Sequence, residues 1–318
     1  MNFWKALKKP ILVLAPMADV TDVAFRRVIA KYGKPDVMWT EFVSADGLVR
    51  ASEEGKRKLL KDLEYSESER PIVAQLFGAN VENMKKAAEL VAKLGFDGLD
   101  INMGCPDKSI EKQGAGAAMI KNPKQAREII RAAKEGAPNI PISVKTRIGY
   151  NKDELDSWLP EILAEGVAVV TVHARTRKEM SKVPAQWSAV GRTVKMRNEI
   201  APDTLIIGNG DVADPDEGRM RVKETGADGV MFGRAIFGNP WLFAKRTPDI
   251  KEKLEVLVEH TKLFDELLGS TKNFSVMKKH FKSYVSGFNG AGELRASLMQ
   301  TNNAKEVETM VGQFLKGL

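Results

Sequence analysis

Eight short, apolar, β-branched runs recur along the chain, each followed by a turn and a segment with helical spacing: ILVLA (11–15), VMWTEF (37–42), IVAQLF (72–77), GLDIN (98–102), ISVKTR (142–147), VVTVHA (169–174), LIIGNG (205–210) and GVMFGR (229–234). Their apolar character is nearly continuous rather than alternating, as parallel strands covered on both faces require. The helical segments between them have readable ends. Asn80 caps one start and Gly95 its end, while Pro123 sits in the first turn of another. Eight βα units within about 240 residues match the size of a (β/α)8 barrel. A doubly wound open sheet is the competing arrangement, and the strand count favours the barrel.

From about residue 245 the strand pattern stops and apolar residues recur at helical spacing: Leu254, Leu257, Phe264 and Leu268; then Phe274, Met277, Phe281, Tyr284 and Val285; then Val307, Met310, Val311, Phe314 and Leu315. The expected architecture is therefore α/β, a (β/α)8 TIM barrel over residues 1–244 followed by a small all-α helical domain over residues 245–318.

Composition narrows the class. With 43% hydrophobic and 29% charged residues the chain reads as globular. A single cysteine excludes an internal disulfide framework, and His173, His260 and His280 show no metal-ligand spacing. The opening MNFWKALKKPILVLAP has too short an apolar run for a secretory signal or a membrane span, so a cytoplasmic location without membrane attachment is expected. A net charge of +7 suits a polyanionic partner and equally an ordinary basic enzyme.

In a barrel the chemistry sits at the C-terminal strand ends, so a polar residue closing an apolar run is informative. Gln75, Asn102, Lys145, His173 and Asn209 close five of the runs, and Met17 follows the first. Any one of them has an ordinary structural reading, but burying five without partners would cost roughly 1–3 kcal/mol each. A shared polar ligand accounts for all of them. The last two runs end in NGD (209–211) and GR (233–234), the second leading into AIFGNPWLF, which reads as helical. Barrels often hold a phosphate there, on glycine N–H groups and a helix N-terminus, although tight turns alone would also account for the glycines. No GxGxxG after a strand, GxxxxGK[ST] or GxSxG is present, so a phosphorylated ring cofactor such as FMN fits better than Rossmann or P-loop chemistry.

Cys105 lies on a Gly-Cys-Pro turn just past the fourth run, where a buried structural cysteine would be out of place. A thiol of ordinary pKa is mostly protonated at neutral pH, nothing basic is adjacent in sequence, and Asp107 would favour the protonated form. The expected role is a general acid rather than a nucleophile.

These residues bring the chain close to a known family. APMADVTD (15–22), AQLFG (74–78), DINMGCP (100–106), GAGAAM (114–119), VKTR (144–147), VHARTR (172–177), NGD and GR occur in the order found in the flavin-dependent tRNA-dihydrouridine synthases, and residues 280–298 look like that family's C-terminal helical domain. The resemblance implies FMN contacts at Pro16, Met17, Ala18, Gln75, Lys145, His173, Asn209, Gly210, Asp211, Gly233 and Arg234. It implies that Cys105 is the proton donor and that Asn102 helps hold the target base. It further implies that NADPH reduces FMN and leaves, that hydride passes to C6 of a uridine in tRNA, and that C5 is protonated from the opposite face. The sequence departs from the family's usual pattern at Ala174 (commonly glycine), Gly208 (commonly alanine) and Asp107 (commonly apolar).

A uridine inside folded RNA must be extruded, which calls for a basic surface beside the mouth. Lys278, Lys279 and Lys282 fall on one helical face, with Lys272 before them and Arg295 after. Arg147 is a further candidate for a phosphate near the mouth, with pairing to an acidic neighbour as its other reading. A monomer with no obligate protein partner is expected. Two rival functions stay open on the residues alone: an FMN barrel acting on a free pyrimidine or enone, and a Schiff-base lyase using Lys145. A cofactor-free RNA-binding barrel would have no use for the polar strand ends.

Overall fold

Side chains along a strand alternate between its two faces, and in the computed structural model, which describes residues 2–317, that alternation separates two cores. The strands are β1 (Ile11–Leu14), β2 (Met38–Ser44), β3 (Ile72–Phe77), β4 (Gly98–Met103), β5 (Ile142–Arg147), β6 (Val169–His173), β7 (Leu205–Asn209) and β8 (Gly229–Phe232). All pair in parallel in the order β1-β8-β7-β6-β5-β4-β3-β2. A Val13–Val37 bridge and the Leu14 N–H bond to the Val37 carbonyl, 3.1 Å, join β1 to β2 and close the ring. The fold is thus the barrel and not the open sheet.

Ile11, Val13, Trp39, Val73, Val169, Ile207 and Met231 fill the inside, and Trp4 from the turn Phe3–Ala6 packs under them, 5.7 Å from the Trp39 ring. Leu12, Leu14, Leu99, Ile101, Val144 and Val170 point outward against the helices. Each such buried aliphatic contributes about 1.5–3 kcal/mol. The same alternation points Gln75, Asn102, Lys145, His173 and Asn209 inward at the opposite end of the barrel.

The connections are mostly helical: Val23–Tyr32, Val81–Lys93, Pro123–Gly136, Leu155–Leu163, Trp187–Ile200 and Pro215–Thr225 among them. Asn80 caps its helix through a 2.9 Å bond from Asn83 N–H, and Pro123 opens the next behind Asn122. The segment after β8 corrects the sequence expectation. AIFGNPWLF forms only the short 3-10 turns Arg234–Ile236 and Leu242–Ala244, because Gly238 turns left-handed at φ +55° between them.

Beyond them come Ile250–Leu268, Lys278–Tyr284, Ala291–Leu298 and Ala304–Lys316, with Leu254, Leu257, Phe264, Met277, Phe281 and Val307 buried as their spacing predicts. This helical region packs on the first βα unit. Phe25 stacks on His260 with centroids 4.8 Å apart, and Lys31 and Tyr32 both bind Glu259, at 2.8 and 2.6 Å. Lys272 reaches across to Glu41 at 2.7 Å and Asp62 at 3.0 Å. That removes it from the exposed basic face where the sequence placed it.

Candidate functional site

The polar strand ends form one connected lattice. Deepest is Asp100 on β4, fully buried, which accepts from Ser143 Oγ at 2.5 Å and Gln75 Nε2 at 2.6 Å. Burial pushes its carboxyl up to about 6, against the pull of those two bonds and of Lys145. Gln75 Oε1 accepts from Asn102 Nδ2 at 3.1 Å, and Asn102 Oδ1 accepts the N–H groups of Gly104 at 3.1 Å and Cys105 at 2.9 Å. Asn102 therefore builds the Gly-Cys-Pro turn, with one Nδ2 hydrogen left for a ligand.

Arg147 holds the same turn from the other side. It is buried and donates to the carbonyls of Gly104 at 2.7 Å, Thr176 at 3.1 Å and Met180 at 3.0 Å. Neither sequence reading of Arg147 describes this: among the described residues it pairs with no carboxylate, and it is not turned to solvent.

Cys105 is half-buried. Burial is the main influence on its thiol and pushes its pKa up; the Asp107 backbone N–H pulls it down, and the Asp107 carboxylate raises it by less. Asp107 is occupied as a helix cap, bonded by Ser109 N–H at 2.8 Å. The fold also brings Lys145 and Arg147 near enough to pull the thiol the other way, which adjacency in sequence could not show. The net effect keeps a proton on sulfur at neutral pH.

A cavity of about 250 Å³ lies at the C-terminal strand ends; Asn102 and Cys105 do not line it but adjoin it through Lys145, which pairs with Asn102 in register. Nine of the eleven residues singled out for the cofactor line it, Pro16, Met17, Lys145, His173, Asn209, Gly210, Asp211, Gly233 and Arg234; Ala18 and Gln75 do not. Lys145 makes no hydrogen bond or ion pair among the described residues, and burial, then the Arg147 charge, lowers its pKa to about 8. Burial and the surrounding cations hold His173 neutral. Its Nε2 lies 3.2 Å from Arg175 Nη1, and because a guanidinium only donates, the ring hydrogen belongs on Nδ1.

Asn209 Nδ2 donates to the Met231 carbonyl at 2.8 Å. Asp211 pairs with Arg175 and, at 2.5 Å, with Arg234. Burial works against its charge, but the Arg175 bond prevails and holds the carboxyl below its usual range. Its side chain thus orients two arginines at one end of the cavity.

Gly208 on β7, a departure from the family pattern, has a steric cause. A Cβ there would lie 2.4 Å from the Trp187 ring, whose Nε1 donates to the Gly210 carbonyl at 2.9 Å. Asp100, Arg175 and Ser181 were not singled out from sequence. Asp100 could have been, as a charge inside an apolar run; Arg175 and Ser181 sit in a loop whose path only the fold supplies.

A larger depression, about 770 Å³, opens at the opposite barrel face around Asn139, Pro141, Val167 and Pro202. It lies at the end of the barrel that precedes the strands, away from the polar strand ends, and its Lys134 donates to the Gly166 carbonyl at 3.0 Å.

On the helical region Lys279 and Lys282 are exposed and Lys278 partly so. Lys279 lies 3.4 Å from Asp19, and Arg295 donates to the Val285 carbonyl at 3.2 Å. Among the described residues there is no cluster of three or more metal-ligating side chains, and no helix is long and apolar enough to cross a membrane.

Comparison with known proteins agrees across the chain. The family described as Dihydrouridine synthase (Dus) matches residues 13–317. The chain is 43% identical to "Probable tRNA-dihydrouridine synthase 2" of Bacillus subtilis (strain 168), over 98% of this chain and 96% of that one. It is 41% identical to "Probable tRNA-dihydrouridine synthase" of Staphylococcus aureus (strain MRSA252), over 98% and 95%. Among solved structures it resembles morphinone reductase in complex with tetrahydroNAD, with TM-score 0.52, 14% identity and coverage of 75% and 88%. The old yellow enzyme homologue from Zymomonas mobilis gives 0.52, 12%, 76% and 90%. At these identities the two structures speak to the barrel fold alone.

Proposed function

The chain belongs to the dihydrouridine synthase family, and from that premise we propose that it reduces specific uridines of tRNA to 5,6-dihydrouridine, with FMN as bound cofactor and NADPH as reductant. The observation that carries this is Lys145, a partly buried ammonium with no acceptor among the described residues, in one cavity with His173, Arg175 and Arg234 and next to the strand that leads into the Cys105 turn.

The donor set fits FMN. Arg175, Arg234 and the backbone at Gly210 and Gly233 would hold the phosphate, with space above Gly233, where a Cβ would come no closer than 3.7 Å to Met17 Sδ. Asn209 would support that end. Lys145, the His173 Nδ1–H and Gln75 would meet the polar edge of the ring, and Pro16, Met17 and Ala18 would form the apolar wall. When bound, reduced FMN supplies the hydride that the uracil takes at C6.

Asn102 offers its free Nδ2 hydrogen to the base. Cys105 gives the Sγ proton to C5, and its thiolate recovers a proton from solvent at the half-open mouth. Residues 1–244 form the cofactor-binding unit; residues 245–318 grip tRNA through Lys278, Lys279, Lys282 and Arg295. A tRNA substrate places the work in the cytoplasm.

A lysine with pKa near 8 would also suit Schiff-base chemistry. The visible spectrum separates the readings. Purified or FMN-reconstituted protein with oxidised-flavin bands that bleach under anaerobic NADPH supports the reductase; a colourless protein that takes up no FMN and is trapped by borohydride with a carbonyl compound supports the lyase.

A further inference from the structure

Met180 stands at the edge of the cofactor cavity: its neighbour Ser181 lines that cavity, while its own side chain is 40% exposed. Its backbone takes φ +57°, a conformation disfavoured for a residue with a bulky side chain. Asp19 and Asp211, which adopt the same region in the loops after β1 and β7, have the short polar side chains that tolerate it; Met180 and Lys245 do not, and of these two Met180 stands at the cavity. Such an outlier persists only where its surroundings impose it.

Here they do. Arg147 donates to the carbonyls of Thr176 and Met180, and Arg175 Nε donates to the Val183 carbonyl at 2.6 Å. Thr176 N–H reaches the Glu179 carboxylate at 2.7 Å, and Lys182 N–H reaches the Glu179 carbonyl at 2.9 Å. Two buried arginines thus pin the loop to the barrel interior, leaving the apolar side chains of Met180 and Val183 facing out. Lys178 and Lys182 flank them, exposed and without an acidic partner among the described residues.

A rigid loop that holds apolar side chains outward between free cations, at the lip of a polar cavity, is suited to base faces rather than to water. A uridine drawn out of folded RNA leaves a gap in its stack, and apolar side chains commonly fill such gaps. The thioether of methionine is polarisable and adapts to a ring face.

We propose that Met180 is the stacking wedge of this enzyme: it enters the gap left by the target uridine and holds the base in the cavity, with Lys178 and Lys182 on the flanking phosphates. This rests on the tRNA reading above and adds the residue that stabilises the extruded state.

The test compares wild type with Met180→Gly, which relieves the backbone conformation, and Met180→Ala, which keeps it; both remove the wedge. Each is assayed on dihydrouridine-free tRNA and on unstructured oligouridine, with flavin content and anaerobic reduction by NADPH measured alongside. Both variants should lose about 10-fold or more in kcat/KM on tRNA, stay within about twofold of wild type on oligouridine, and keep normal flavin content and reduction. Unchanged kcat/KM on tRNA overturns the wedge, and so does an equal loss on both RNAs, which would make the loop a support for the flavin site. Failure of the tRNA reading itself looks different: wild type reduced by NADPH yet inactive on both RNAs.

Discussion

Lys145 and Lys282 carry the same charge in opposite circumstances. Lys145 is set inside the barrel mouth among Asp100, Arg147 and His173, where burial already pulls its proton loose; Lys282 stands in solvent on the helix Lys278–Tyr284. Two of the mouth cations are fixed before any ligand arrives: Arg147 by three carbonyls, and Arg175 by Asp211 and the Val183 carbonyl. Fixed charges in a site of low dielectric act strongly on a small ligand and are little screened by salt. The helical cations Lys279 and Lys282 are exposed to solvent and its salt, and on the proposed reading their effect on a polyanion would come through displaced counterions. Chemistry and grip should therefore be separable by salt.

The largest effect belongs to the mouth. Cys105→Ala should keep FMN and its reduction by NADPH but lose roughly 100-fold to 10,000-fold in tRNA turnover, at any salt concentration. Unchanged turnover would remove Cys105 from the chemistry. On the helical side, reversing Lys278, Lys279 and Lys282 to glutamate should weaken tRNA binding by about 10-fold to 100-fold at low salt and flatten its salt dependence, leaving flavin reduction intact. A specific loss of flavin reduction would erase the division between the two regions.

Lys145 sharpens the comparison through pH. Its lowered pKa means that the free site loses its positive charge as pH rises through about 8, whereas a bound anionic cofactor favours the charged form. FMN affinity, measured by fluorescence quenching on apoprotein, should be flat below that pH and weaken by up to about tenfold per unit above it. Lys145→Met should abolish the pH dependence as well as weaken binding.

The smallest effect lies where the regions meet. Lys272→Met strips Glu41 of its partner, but burial has already raised that carboxyl to about 7, so Glu41 can take up a proton. The loss should be about 1–2 kcal/mol, read as faster hydrogen exchange in the helical region with barrel exchange unchanged.

All eight strands were legible because each buries both faces and so writes a continuous apolar run, and the polar strand ends were legible because they interrupt it. AIFGNPWLF was misread because its apolar content resembles a helix while Gly238 and Pro240 divide it into two turns. Lys272 was placed with the exposed lysines because its partners, Glu41 and Asp62, lie more than two hundred residues away in sequence. Separation along the chain, though shorter, also hid the true setting of Cys105: Asp107 is its near neighbour in sequence, but burial, Lys145 and Arg147 act on it only once β4 and β5 pair.

On the proposed function, one mouth holds a flavin and, through Cys105, completes the reduction of a uridine in tRNA. The most direct test is an anaerobic single turnover in which protein reduced by NADPH, freed of excess nucleotide, is mixed with dihydrouridine-free tRNA. The oxidised-flavin bands should return as the tRNA gains dihydrouridine in equal amount, and should do so far more slowly in Cys105→Ala. Flavin that stays reduced, with no dihydrouridine formed, would contradict the proposal.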